Sequence, residues 1–171
     1  MNSLTAAEVK EILGLKPHPR EGGCFVRTYE SPEFIPANVF GPTRYDGPRR
    51  TSTAIYYLLE PGTFSEMHLL QSDEIFHHYL GGPVEMLQLH PDGSSKRIVI
   101  GTDLHAGQRP QVLVPRGVWQ GSKLLVEEGF ALLGCTVGPG FEFVDYTSGS
   151  RKELIGHWPA ECDLIVQLTR S

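Results

Sequence analysis

In the stretch Gly62-Thr63-Phe64-Ser65-Glu66-Met67-His68-Leu69-Leu70-Gln71-Ser72-Asp73-Glu74, His68 and Glu74 are spaced as two side chains meeting across adjoining strands. Imidazole and carboxylate are common metal ligands. The same pair can also do acid–base work, with the histidine abstracting a proton next to a carbonyl. A third reading is a buried, hydrogen-bonded pair that only closes a hairpin. Leu70 stands where a further ligand would be expected.

Strand parity says what else could face the same space. Side chains alternate across a strand, so His68 shares a face with Phe64, Glu66 and Leu70. On the next run, Glu74 shares a face with Phe76, His78 and Leu80, while His77 points away. Four residues along a strand is roughly 13 Å, so His78 suits the far end of a pocket better than a shared ion. Glu85 alternates with Leu87 and Leu89 and is expected at the cavity as well.

These side chains need a scaffold of strands. The chain has 171 residues, with 19 Gly and 13 Pro punctuating short runs rich in Val, Ile, Leu, Phe and Tyr. The runs are 24–29, 51–59, 63–70, 74–80, 84–90, 96–100, 111–114, 118–125, 130–137 and 141–145. Turn signals such as Pro61-Gly62, Pro91-Asp92-Gly93 and Gly138-Pro139-Gly140 separate most of them. Many short strands at regular spacing predict an all-β sandwich or barrel. Before them, Thr5-Ala6-Ala7-Glu8 reads as a capping box, so residues 5–13 are expected as a short helix. A single domain over 1–171 is expected: the helix, a barrel over about 22–147, and a C-terminal extension over 148–171 with a short helix near 151–155.

The formal net charge of −5 argues against nucleic acid or an anionic membrane as partner. The basic group Arg44, Arg49 and Arg50 lies among Pro and Gly and is expected as a solvated loop. No apolar run is long enough to span a membrane, and the first residues do not read as a secretory leader. Cys24, Cys135 and Cys162 are odd in number, far apart and without metal spacing, which suits free thiols in a reducing cytoplasm.

The quoted stretch resembles the first motif of the cupin superfamily, G-x5-H-x-H-x3,4-E-x6-G. It matches through Gly62, His68, Glu74 and Gly81, with Leu70 replacing the second histidine. Pro115-Arg116-Gly117-Val118-Trp119-Gln120 is similar to the second motif, P-x-G-x2-H, with Gln120 in the histidine position. SDEIFHHY, VPRGVWQ, LLGCTVGPGFEF and the segment Pro17-His18-Pro19-Arg20-Glu21-Gly22-Gly23 look like the subgroup called cupin type 5, a domain of unknown function. In that subgroup residues like Leu70 and Gln120 are usual, whereas His78 departs from a common Phe.

The resemblance implies a single cupin jelly-roll β-barrel with a short N-terminal helix, and a homodimer. Ile75 and Tyr79 are the exposed apolar positions suited to that interface. It also implies a metal set of His68, Glu74 and Gln120. Three ligands, one a neutral amide, suit a weakly held divalent ion (Mn, Mg, Zn, Ni or Fe), or no cofactor at all. Metal-free epimerases of the superfamily pair a histidine base with a tyrosine acid. By that analogy His68, made more basic by Glu74, is the base and Tyr57 the acid. Glu66, Phe76, His78, Glu85, Trp119 and Gln120 complete the expected ligand-binding set.

The function expected is an isomerase, epimerase or lyase acting on a polar, sugar-like or carboxylate-bearing small molecule. The alternative is a metal-free, non-catalytic binding or sensor protein using the same cavity.

Overall fold

Thr5 and Glu8 close the expected reciprocal cap. The Thr5 side chain accepts from the Glu8 amide, and the Glu8 carboxylate accepts from the Thr5 amide at 2.8 Å. Helix α1 then runs Ala6–Leu13 and stops at Gly14, whose φ of 68° is open to glycine. The computed structural model describes residues 4–170. Residues 1–3 and 171, the ends of the expected domain and the start of the leader reading, lie outside them.

The strands follow as β1 (Lys16–Pro17), β2 (Cys24–Glu30), β3 (Phe34–Ile35), β4 (Arg49–Arg50), β5 (Thr53–Leu59) and β6 (Phe64–Leu69). Next come β7 (Asp73–Gly81), β8 (Val84–Leu89), β9 (Ser95–Ile100), β10 (Gln111–Val114), β11 (Trp119–Leu124), β12 (Ala131–Gly138) and β13 (Thr147–Ser148). Helices α2 (Arg151–His157) and α3 (Cys162–Gln167) close the chain. The six-stranded sheet has the order β1-β2-β5-β12-β7-β10, and the five-stranded sheet β13-β6-β11-β8-β9. Named neighbours in both sheets pair antiparallel.

This is the all-β jelly-roll with its N-terminal helix. The ladders form two facing sheets rather than one closed barrel. Side chains pack the space between them: Tyr57, Leu59, Phe76, Val84, Met86 and Leu133 are buried in one cluster. The outer faces are covered too. Val9 of α1 packs with Leu58 and Leu132 on the six-stranded sheet. Leu154, Leu164, Ile165 and Leu168 pack on Met67, Leu87 and Leu89 of the five-stranded sheet. The C-terminal segment is thus part of the core. On the uncovered part of the six-stranded sheet, Tyr79 is about half exposed and stacks with His77.

Two expectations are corrected. Residues 141–145 do not form a strand; Phe143–Asp145 is a 3-10 turn, and Phe143 is partly exposed. The Gly138-Pro139-Gly140 break ends the β12 ladder, since proline has no amide to donate. The basic group is not all solvated. Arg49 is buried, donates from Nε and Nη2 to the two Asp145 oxygens at 2.7 Å each, and lies over the Tyr45 ring.

Candidate functional site

Beside the packed cluster, the space between the sheets holds a small cavity of about 30 Å³. His68 and Glu74 both line it, with Leu70 in its wall. Leu70 packs with Val137, Tyr146 and Phe141, so the position of the missing histidine is an apolar wall.

His68 sits on β6 opposite Gln120 of β11 and is only 1% exposed. Its Nδ1 lies 2.7 Å from the Glu66 carbonyl oxygen, an acceptor. The ring proton therefore belongs on Nδ1, and Nε2 keeps its lone pair. The Tyr146 ring stacks on the imidazole at 4.8 Å and 13°. Glu74 sits across the gap on β7, and Gln120 Nε2 donates to its Oε2 at 2.7 Å. Burial, and then the nearby Glu21 carboxylate, raise the Glu74 pKa to about 8. At neutral pH Glu74 accordingly carries a proton.

His68 is thus oriented by the Glu66 backbone rather than by Glu74, which corrects the expected dyad. The two titratable groups face one cavity with opposite readiness: a lone pair on His68 and a proton on Glu74.

Two more side chains come from the loop before β2. Gly22 and Gly23 have φ of 104° and 63°. A Cβ at Gly22 would collide with the Phe64 carbonyl oxygen, and one at Gly23 would lie 2.7 Å from the Leu58 oxygen. Glycine alone lets this loop lie against β5 and β6. The loop delivers His18 and Glu21 to the cavity. His18 Nδ1 accepts from the Glu21 amide at 2.8 Å, so its proton sits on Nε2, 4.0 Å from Glu21 Oε2. Burial lowers the His18 pKa and favours that neutral form. Glu21 accepts from the Ser65 hydroxyl.

Other expected site residues lie elsewhere. Tyr57 is fully buried in the packed cluster and donates to the Gly22 carbonyl at 2.9 Å. Burial holds its phenol pKa well above the ordinary value, so its work is to anchor the loop. Phe76 is core. His78 is tied through Nε2 to the Gly82 carbonyl at 3.0 Å, away from the cavity. Glu85 shares the outward face of β8 with Leu87 and Leu89, near Lys123 at 3.8 Å. Trp119 packs on the C-terminal cluster outside the sheet.

Glu66 stands behind the cavity wall. It accepts from Tyr146 Oη at 2.9 Å and Ser148 Oγ at 2.7 Å, and pairs with Arg170 Nε at 3.1 Å. A register shift between Gln120 and Ser122 breaks strict alternation on β6. Ser65 therefore reaches Glu21 while Phe64 packs outward.

Sequence reasoning missed His18, Glu21, Arg27, Cys135 and Tyr146 as lining residues. The His-Pro-Arg-Glu-Gly-Gly run held the signal for the first two: a histidine and a glutamate beside paired glycines.

The expected metal set does not fit a resident divalent ion. Among the described residues no three His, Cys, Asp or Glu side chains converge to hold one. Gln120 presents an N–H to Glu74 rather than an oxygen to a metal. Gln120 Oε1 is buried without a partner.

Comparison with known proteins agrees with this fold. Over 145 residues the chain is 35% identical to the uncharacterized protein YML079W of Saccharomyces cerevisiae, covering 81% of this chain and 72% of that one. The solved structure of protein SO0799 from Shewanella oneidensis matches with a TM-score of 0.84 and 33% identity, over 98% of this chain and 99% of that one. A hypothetical protein from Leishmania major matches with a TM-score of 0.87 and 26% identity, over 98% and 100%. At 14% identity and a TM-score of 0.52, oxalate decarboxylase from Lactobacillus farciminis shares the fold alone, 93% of this chain covering 43% of that one. The family described as Cupin superfamily (DUF985), Cupin_5, matches residues 7–148, and the chain belongs to it.

Proposed function

We propose that the chain is an enzyme of the isomerase, epimerase or lyase type, acting by proton transfer on a polar small molecule bound between its sheets. The observation that carries this is the complementary pair in one cavity, His68 with a free Nε2 lone pair and Glu74 with a raised pKa.

In the proposed step His68 Nε2 takes a proton from carbon next to a carbonyl. Glu74 gives its proton to the carbonyl oxygen, so an enol forms and no net charge accumulates on the substrate. His18 Nε2–H is a further donor at the same cavity. Delivering the proton to the neighbouring carbon, while the hydroxyl on that carbon's partner gives its proton back to Glu74, isomerises the substrate. A proton from a second donor on the opposite face, for which His18 Nε2–H is the candidate, epimerises it. Loss of a β leaving group gives lyase chemistry. Apolar walls of Phe25, Ile55, Leu70 and Val137 limit water around the reacting groups. The three cysteines are free, which supports the cytoplasmic location expected.

The test is deuterium incorporation from D2O into candidate hydroxycarbonyl compounds, read by NMR. Wild-type protein is expected to exchange the proton next to the carbonyl, and His68→Gln to lower that rate about 100-fold. Saturable binding with no exchange in any compound would instead favour the binding or sensor reading.

A further inference from the structure

Arg27 is the one Lys or Arg among the described residues that line the cavity. It lies on the inward face of β2, two residues after Phe25, whose ring packs edge-on against His18 at 4.6 Å. Two strand residues span roughly 7 Å. A small molecule reaching from the His18 and His68 end would therefore meet the guanidinium at its other end. Ile55 pairs opposite Arg27, and Thr53 pairs with Val137 further along the same wall.

The guanidinium has one partner. Its Nη1 lies 3.1 Å from Glu30 Oε1, and it makes no other ion pair or hydrogen bond among the described residues. Glu30 is shared, because Arg50 Nε lies 2.7 Å from its Oε2. Two guanidiniums share one carboxylate, so the Arg27, Arg50 and Glu30 group carries one net positive charge. Arginine presents a planar fork of donors matched to a carboxylate.

We infer that Arg27 reads a carboxylate on the substrate, so that the ligand is a small hydroxylated monocarboxylate, such as a sugar acid, rather than a neutral sugar. This rests on the reading of the cavity as the substrate site, and it decides between the sugar-like and carboxylate-bearing classes. One guanidinium beside an existing carboxylate suits a single negative charge better than a phosphate dianion, which favours several cations. Arg27 sets specificity and takes no part in proton transfer.

The test uses three probes that differ at one end only: glucuronate, glucose and glucose 6-phosphate. Binding is read by calorimetry and ligand-observed NMR with wild type, Arg27→Gln, Glu30→Gln and His68→Gln. Glucuronate is expected to bind about tenfold or more tighter than glucose, the scale of one charge-assisted contact. Arg27→Gln is expected to bring it down to the glucose level. Glu30→Gln, which frees the guanidinium, is expected to tighten glucuronate, and His68→Gln to keep the acid preference.

Equal binding of glucuronate and glucose, tighter binding of the phosphate, no binding of glucuronate, or an acid preference that survives Arg27→Gln would each overturn the inference. Deuterium exchange is read separately. Arg27-dependent glucuronate binding without exchange in any compound leaves the inference standing and rejects the enzyme. Exchange with no acid preference does the reverse.

Discussion

Gln120 of the five-stranded sheet donates to Glu74 of the six-stranded sheet at 2.7 Å, and this bond crosses the interior beside the cavity. The position that a related motif gives to a metal-binding histidine here holds a carboxyl group in place. The bond uses one end of the amide and leaves Oε1 buried without a partner. A protonated Glu74 could equally donate to that oxygen if the amide turned over, so the pair tolerates either protonation state of the acid.

The Glu74 pKa sets a pH dependence of stability. Its folded value of about 8 lies above the ordinary 4.5, so the folded chain holds a proton that the unfolded chain releases between them. Stability conferred by that proton is complete below about 4.5 and is lost as pH rises to about 8. The slope is at most ~1.4 kcal/mol per pH unit. His18, whose pKa burial lowers from 6.5, acts in the opposite sense below that value, so between about 6.5 and 8 urea unfolding is expected to show wild type weakening with rising pH relative to Glu74→Gln. Parallel curves would mean that Glu74 ionises normally.

Restoring the two absent motif histidines should create a metal site. Leu70 lines the cavity beside His68, and Gln120 already meets Glu74. After dialysis without chelator, elemental analysis is expected to find near-stoichiometric divalent metal in Leu70→His/Gln120→His and little in wild type. Stoichiometric metal in wild type, lost in His68→Ala, would overturn the reading of an acid–base pair without a resident ion.

Tyr146→Phe separates two roles of one side chain. The stack on His68 survives, while the hydrogen bond to Glu66 is lost. Glu66 keeps Ser148 and Arg170, so the expected cost is about 1 kcal/mol in urea unfolding. Tyr146→Ala is expected to cost more and to loosen His68, visible as a shifted imidazole resonance in NMR.

The Arg49–Asp145 pair is the anchor of the turn that carries Tyr146. Its side chains are 6% and 7% exposed, and both carboxylate oxygens accept a guanidinium N–H. Asp145→Asn leaves a buried cation underpaired, and a loss of about 3 kcal/mol is expected by the same unfolding assay. A change within error would mean that the guanidinium reaches water.

Local patterns account for much of the fold. The capping box places α1, and alternation bounded by Gly and Pro places nine of the ten expected strand runs at nearly their observed limits. His68 and Glu74 were legible as partners in one cavity because residue type and strand spacing are local quantities. What faced them was not. A register shift on β6, which no alternation rule foresees, sends Phe64 outward. On β8 the inward face belongs to Val84 and Met86, so Glu85 points away from the cavity. His18 and Glu21 reach the site only because two glycines let a distant loop lie against β5 and β6. The state of the acid, too, is a tertiary property. Glu74 keeps its proton because burial and the Glu21 carboxylate disfavour its charge, and both arise only when separate strands and a loop close around one space.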